Sequence, residues 1–260
     1  MASYVIPNLA NACRILSLVT ESAQGLSLTE LEQRLAVPRT TAFRILQTLC
    51  QEQVLEKHGK KYLVGAQLFK MGISLLSSQR LQQQALPKLQ QLALTTSLSA
   101  HLALPHARGA LLVEVCDSPN PLRLAARPGS LADFNCSAAG KVFLAFHYFD
   151  QLAALASAGL FTQRTSRSLC QVDALRTELQ RVLARGYASD DMEYHDDVRC
   201  LAVPVRDGQG SVVAAVGITG PQALFDKKPQ ADLIASVKQT AIDIALATYR
   251  PQLAANSGRG

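Results

Sequence analysis

Between Arg39 and Lys61 the chain carries side chains suited to a polyanion. Arg39 and Arg44 have planar guanidinium groups able to bridge O6 and N7 of guanine, and the hydroxyls and methyls of Thr40 and Thr41 fit phosphate oxygens or a thymine methyl. Base reading is assigned to Arg39, Thr41 and Arg44; backbone contact is assigned to Thr40, Lys57, Lys60 and Lys61. Phe43 lies on the same face. The charge is local: residues 1–80 hold nine Lys/Arg against five Asp/Glu, and residues 81–260 hold seventeen against fifteen. Most of the net +6 therefore sits in the first third of the chain, which permits a polyanionic partner there.

Other chemistries compete less well. Cys200 with His195 or His101 could form a thiol nucleophile and base, but a cysteine in a buried strand is more commonly a small hydrophobe. The acidic run Asp190, Asp191, Glu193, Asp196 and Asp197 lacks the glycine and terminal glutamate of an EF-hand loop and reads as a solvated turn. Six cysteines are scattered singly, with neither C-x-x-C spacing nor a histidine cluster; free thiols, a cytoplasmic location and no zinc site are expected. Neither a G-x-x-x-x-G-K-[ST] nor a G-x-G-x-x-G loop occurs, so no nucleotide cofactor is expected and the chain is not read as an enzyme. No apolar run approaches 18 residues and the start has no basic, then apolar, leader, which argues against a membrane partner and a secretory signal. Arg164 and Arg167 fall in the Ser/Thr-rich stretch TQRTSRS, read as exposed linker.

The elements that position the basic residues follow from periodicity. Leu9, Cys13, Leu16 and Val19 recur at helical spacing and predict a helix from about Leu9 to Glu21. After Gly25, Ser27-Leu28-Thr29-Glu30 forms an S-x-x-E capping box for a second helix whose apolar face is Leu28, Leu31 and Leu35. That helix stops at Ala36-Val37, and Pro38 opens a third at its first turn, where a missing N–H is harmless. Ala42, Ile45, Leu46 and Leu49 must then face inward, leaving Arg39, Thr40, Phe43, Arg44 and Gln47 outside. His58-Gly59-Lys60 between two apolar runs reads as a β-hairpin. A short helix, a tight turn, a helix with a basic outer face and a basic hairpin together make a winged helix-turn-helix.

In the remainder, strands are predicted at Ser99–Leu104, Ala110–Cys116, Leu122–Ala125, Leu201–Val205 and Val212–Thr219. Asp207-Gly208-Gln209-Gly210 is a hairpin signal. Helices are predicted at 81–96 (with Pro87 as kink or restart), 138–149, 172–185 and 230–249. Runs of unequal length favour an antiparallel α+β domain over strict βαβ alternation. Residues 66–78 are apolar on more than one side; they pack onto their own domain or link and pair subunits. Ser137-Ala138-Ala139-Gly140 leads into a helix beginning near Lys141. Small residues there let a ligand approach helix-start amides, a geometry suited to a carboxylate and equally explained by tight packing.

LTELEQRLAVPRTTAFRILQTLCQEQVLEKHGKKYLVGAQLFKMG, SAAGKVFLA and GYASDDMEYHDDVRCLAVPVRDGQGSVVAAVGITGP resemble, in order, segments of the IclR family of bacterial transcriptional regulators. The resemblance implies a GAF-like sheet with helices on its faces, subunit pairing through the linker helix, and a homodimer or dimer of dimers. It also implies an effector pocket made by Ala138, Ala139, Gly140, Asp190, Cys200, Gly217 and Thr219, with Leu124 and Val198 as apolar wall. Two serines of the family pattern are Gly217 and Thr219 here, which disfavours a small 2-oxo acid and favours a bulkier effector. A family glycine is replaced by Asp197.

The expected organisation is a winged helix-turn-helix at 1–65, a linker helix at 66–80, an effector domain at 81–252 and a disordered tail at 253–260. The expected function is a repressor that binds a pseudo-palindromic double-stranded operator and answers to a small organic-acid or aromatic effector, one bearing a carboxylate. The alternative is a small-molecule-binding module or enzyme whose basic N-terminal domain docks on protein.

Overall fold

The computed structural model describes residues 4–78, 80–119 and 127–256, the side chains of 73–78 and 250–256 excepted. The chain divides into two compact units, 1–79 and 80–260. The first contains α1 (Pro7–Thr20), β1 (Leu26–Ser27), α2 (Leu28–Leu35), α3 (Arg39–Gln51), β2 (Leu55–His58), β3 (Lys61–Val64) and α4 (Ala66–Ser78). Ile15, Val19, Leu31, Ile45, Leu46, Leu55 and Tyr62 close one apolar core beneath the helices and the sheet β1-β3-β2. Gly25 has φ +67, and a Cβ there would lie 2.6 Å from the Tyr62 carbonyl oxygen, so only glycine lets the chain enter β1.

The capping box forms as predicted. The Glu30 amide donates to Ser27 Oγ at 3.3 Å, and the Ser27 amide donates to Glu30 Oε2 at 2.7 Å. The Ser27 amide, together with the Ser27 hydroxyl, which also donates to Glu30 Oε2 at 2.7 Å, holds the Glu30 carboxyl below the ordinary carboxylate range. Ser27→Ala leaves an orphan amide at the start of α2 and is expected to lower the stability of this unit by about 1 kcal/mol, measured by urea unfolding. An unchanged midpoint would show that solvent replaces the cap. The helix ends where Ala36 turns left-handed, at φ 50. Pro38 lies one residue earlier than predicted, at the N-cap of α3, where its carbonyl accepts the Ala42 amide at 3.0 Å. Its extended ψ of 135° keeps it just outside the helix.

The second unit contains α5 (Arg80–Thr96), β4 (Ser99–His106), β5 (Gly109–Cys116), β6 (Leu131–Ala132), α6 (Ala138–His147), a 3-10 turn (Phe149–Gln151), α7 (Leu152–Ser157), α8 (Val172–Arg185), β7 (Ala188–Asp191), β8 (Val198–Arg206), β9 (Val212–Pro221), α9 (Gln222–Phe225) and α10 (Gln230–Asn256). Its sheet runs β6-β5-β4-β9-β8-β7, antiparallel throughout. On one face Ala100, Leu102, Val203 and Val216 pack with Leu89 and Leu92 of α5 and Val237 and Ile244 of α10. On the other, Ala103, Ala202 and Ala215 pack with Val142 and Phe143 of α6 and Leu175 and Leu179 of α8. The fold is thus α+β with helices on both sheet faces.

α5 passes through Pro87 without restarting; one missing N–H is outweighed by the buried run Ala85, Leu89 and Leu92 on its inner side. β6 and β7 were not predicted, since a two-residue strand and the polar sequence Ala-Ser-Asp-Asp carry no alternation. α10 runs through Asn256, into the stretch predicted as a tail. The predicted strand at 122–125, Leu124 included, lies outside the described residues.

Candidate nucleic-acid interface and ligand cavity

In the first unit α3 separates its faces as its spacing requires. Ala42, Ile45 and Leu46 are buried, whereas Arg39, Thr40, Phe43, Arg44 and Gln47 are exposed. Arg44 forms no ion pair among the described residues. Arg39 is also exposed, but its Nη1 donates to Glu32 Oε2 of α2 at 2.9 Å. Thr41 is half-buried and turns toward α1, bordering a depression it shares with Asn8, Leu9 and Arg44. It stands one turn before Ile45 and so follows the inner edge of the helix.

β2 and β3 pair from Leu55↔Val64 to His58↔Lys61, closing on Gly59-Lys60. Gly59 is left-handed at φ 59 and Lys60 is not, the pattern of a II′ turn with glycine first. Lys60 is exposed at this tip. Lys57 stands over the Tyr62 ring, 5.9 Å from its centroid. Lys61 is half-buried, with Nζ 3.5 Å from the Gly25 carbonyl oxygen.

In the second unit a cavity of about 360 Å³ lies between the sheet and the start of α6. Of the residues implied for a pocket, Ala138, Ala139, Asp190, Val198, Cys200 and Thr219 line it, joined by His101, Leu112, Ser137, Tyr194 and His195. Gly140 and Gly217 shape it without being among its lining residues. A Cβ on Gly140 would meet the Asp133 carbonyl oxygen at 2.2 Å, so glycine allows α6 to start against that loop. A Cβ on Gly217 would lie 2.5 Å from His101 Nε2; the missing side chain makes room for the imidazole of the neighbouring strand, where His101 pairs with Gly217.

Ser137 caps α6, accepting the Gly140 amide at 3.0 Å. The Ala138 and Ala139 amides have no partner among the described residues, leaving donors at the positive end of a ten-residue helix. Asp190 Oδ1 accepts the amides of Glu193 at 2.7 Å and Tyr194 at 3.2 Å, while Oδ2 has no partner in hydrogen-bonding geometry. Burial pushes the Asp190 carboxyl above its ordinary value, against those amides and the nearby Lys141 charge. His101 is buried with Nδ1 unpartnered, and burial lowers its pKa to about 4, so the ring is neutral at pH 7.

The Cys200 thiol lies 2.9 Å from Thr219 Oγ1. Burial and the Asp190 carboxyl beside it raise its pKa well above the usual thiol range. It is bonded to no histidine, and a protonated thiol without a base is not a nucleophile.

Two predicted features are corrected here. The acidic run is not a solvated turn throughout: Asp190 and Glu193 are buried, because β7 turns the first inward and Lys141 draws in the second, at 2.5 Å between Nζ and Oε1. The stretch TQRTSRS is not free linker. Thr165 and Ser168 donate to the Glu193 carbonyl at 3.2 and 2.6 Å, Arg167 pairs with Asp191 at 2.9 Å, and Arg164 pairs with Asp133 while lying 4.2 Å over the Tyr194 ring. This lacing holds the loop that carries Tyr194 and His195 over the cavity. Its polar composition masked a structural role that only a partner loop reveals.

Asp197 has φ 63, a left-handed conformation that explains why the family pattern has glycine there. Aspartate tolerates this region better than most residues. Asp197→Gly is expected to fold at least as stably as the parent, whereas Asp197→Val costs about 1–2 kcal/mol by thermal unfolding. Equal melting temperatures for the two variants would refute the backbone explanation.

A winged helix-turn-helix with an exposed basic helix, carried on a chain whose second unit encloses a ligand-sized cavity, defines a DNA-binding transcriptional regulator with an effector-binding domain. Comparison with known proteins gives the family. Residues 8–59 match the IclR helix-turn-helix domain, and residues 73–246 match the C-terminal domain described as bacterial transcriptional regulator IclR. The glycerol operon regulatory protein of Streptomyces coelicolor is 31% identical over 241 residues, covering 91% of this chain and 94% of its own. A crystal structure of an IclR transcriptional regulator from Alicyclobacillus acidocaldarius superposes with a TM-score of 0.80 at 24% identity, covering 94% of this chain and all of that one. An IclR homologue from Microbacterium hydrocarbonoxydans complexed with 4-hydroxybenzoate gives a TM-score of 0.79 at 20% identity, with 93% and 98% covered. The chain belongs to the IclR family and is a transcriptional regulator, not an enzyme.

Proposed function

We propose that this regulator is a cytoplasmic repressor that binds a pseudo-palindromic operator as a homodimer or dimer of dimers and releases it when a small carboxylate effector occupies the cavity. Residues 1–65 read DNA, 66–80 link, and 81–252 hold the effector. The observation that carries the DNA half is Arg44: it is exposed on α3 and free of ion pairs among the described residues, with Lys60 exposed at the tip of the hairpin. Arg39 also faces outward, within reach of Glu32. Pairing two such helices by a two-fold axis matches a pseudo-palindrome. The open amides of Ala138 and Ala139 and the apolar wall suit an organic acid with an apolar body, such as the 4-hydroxybenzoate found in the Microbacterium homologue.

Duplex binding measured across salt concentration tests the first half: a handful of phosphate contacts gives a log–log slope near −0.9 per contact. A flat response would instead favour a basic module that docks on protein. For the second half, replacing Thr219 and Cys200 should weaken any acid found by calorimetry against a metabolite panel. For control by effector, the acid must bind the released state more tightly than the DNA-bound state, because equal affinities shift nothing.

A further inference from the structure

The cavity is a strange receptor for an anion. Among the described residues that line it, none is a lysine or arginine. The ammonium of Lys141 on α6, which acts on Asp190, is committed to Glu193 at 2.5 Å. Facing the same space is Asp190, 1% exposed, with one oxygen unpartnered. Near that carboxyl are also the Glu193 carboxylate, the Cys200 thiol opposite it on β8, the Cys136 thiol ahead of α6, and the Glu193 and Tyr194 amides. His195 lines the cavity from the loop, and His101 from β4 with its Nδ1 unpartnered. A second carboxylate brought against Asp190 would set two like charges in an apolar enclosure, an arrangement in which one of the two gives up its ionised form. A single proton between them turns repulsion into an O–H···O⁻ hydrogen bond, and it also gives the unpartnered oxygen its bond.

We propose that a carboxylate effector enters this cavity together with one proton, which Asp190 takes up from solvent, so that effector binding by this regulator is tied to pH. The inference rests on the carboxylate-effector reading above. Asp190 is the acceptor rather than His101 for a structural reason. Asp190 lies in the row Asp190–Cys200–Thr219 that crosses β7, β8 and β9 beneath the α6 amides, where the effector carboxylate is held. His101 stands over Gly217 in the next row, where a neutral imidazole serves the effector's apolar or hydroxyl-bearing end. Burial acts in the same direction, raising the acid and lowering the imidazole.

The test is calorimetry on the full chain with 4-hydroxybenzoate and with benzoate, each at about pH 7.5 in two buffers of different ionisation enthalpy, then across pH. Uptake approaching one proton per acid bound is expected, with affinity falling up to about tenfold per pH unit as pH rises. Asp190→Asn should bind without uptake and with a flat pH profile. His101→Gln should bind more weakly yet keep the uptake. Binding to the parent chain with no proton uptake would overturn the inference and leave the effector reading standing. Uptake that vanishes in His101→Gln and persists in Asp190→Asn would overturn it too. If neither acid binds between about pH 5.5 and 8.5, the carboxylate-effector reading falls and this inference with it.

Discussion

Lys141→Met is expected to destabilise the C-terminal unit by about 3–5 kcal/mol, the cost of breaking a buried ion pair from one side. Lys141 is wholly buried and its partner Glu193 nearly so, with one Glu193 oxygen already unbonded. Burial pushes the Glu193 carboxyl upward even with the Lys141 charge beside it. Removing the ammonium leaves both oxygens without a cation, so the carboxyl must take a proton or drag in water. Methionine fills nearly the same space, so a cavity contributes little to the loss. The double variant Lys141→Met/Glu193→Gln should recover much of it, since no lone charge is left behind. Equilibrium urea unfolding of the three proteins measures this; a single-variant loss below about 1 kcal/mol would mean that the pair is solvated in solution. The consequence reaches the cavity, because Glu193 anchors the loop that presents Tyr194 and His195.

Arg44→Ala is expected to weaken binding to the preferred operator by about 1–3 kcal/mol, between fivefold and a hundred-fold or so, and to relax sequence preference at one base pair of each half-site. The operator is recovered by selection from a random duplex pool, and the variant is compared on that site and on scrambled DNA. An equal loss on both would make Arg44 a phosphate contact. Arg39→Ala should lose less, because in the free protein Arg39 is already bonded to Glu32 and must exchange one partner for another. Glu32→Ala should move Arg39 in the opposite direction, toward tighter and less selective binding.

The helices of the first unit are legible in the sequence because each rests on a local rule. The capping box of Ser27 and Glu30, the i, i+3, i+4 spacing of Ala42, Ile45 and Leu46, and the glycine turn at Gly59 operate within a few residues of chain. The same holds for α8, whose observed ends, Val172 and Arg185, coincide with its predicted ones. β7 is not legible, because Ala-Ser-Asp-Asp has no strand signature until β8 lies beside it. From the sequence His101 offers only a base for Cys200; that it fills the place left by a glycine 116 positions later along the chain is a property of strand pairing. The roles of Thr165 and Ser168 were hidden for the same reason, since both bond to a loop far along the chain.

By itself, then, the order of residues determined which segments coil, which extend, where the positive charge gathers, and which family the chain resembles, all of them consequences of interactions between near neighbours in sequence. Only the tertiary structure decided that Asp190 and His101 share one enclosed space with no lysine or arginine among its described walls, that Lys141 is bound to Glu193, and that among the described residues Arg44 has no ion pair while Arg39 has one. Those outcomes depend on distances between segments that the folded core alone brings together, and a group's charge state depends on the solvent that the same core excludes.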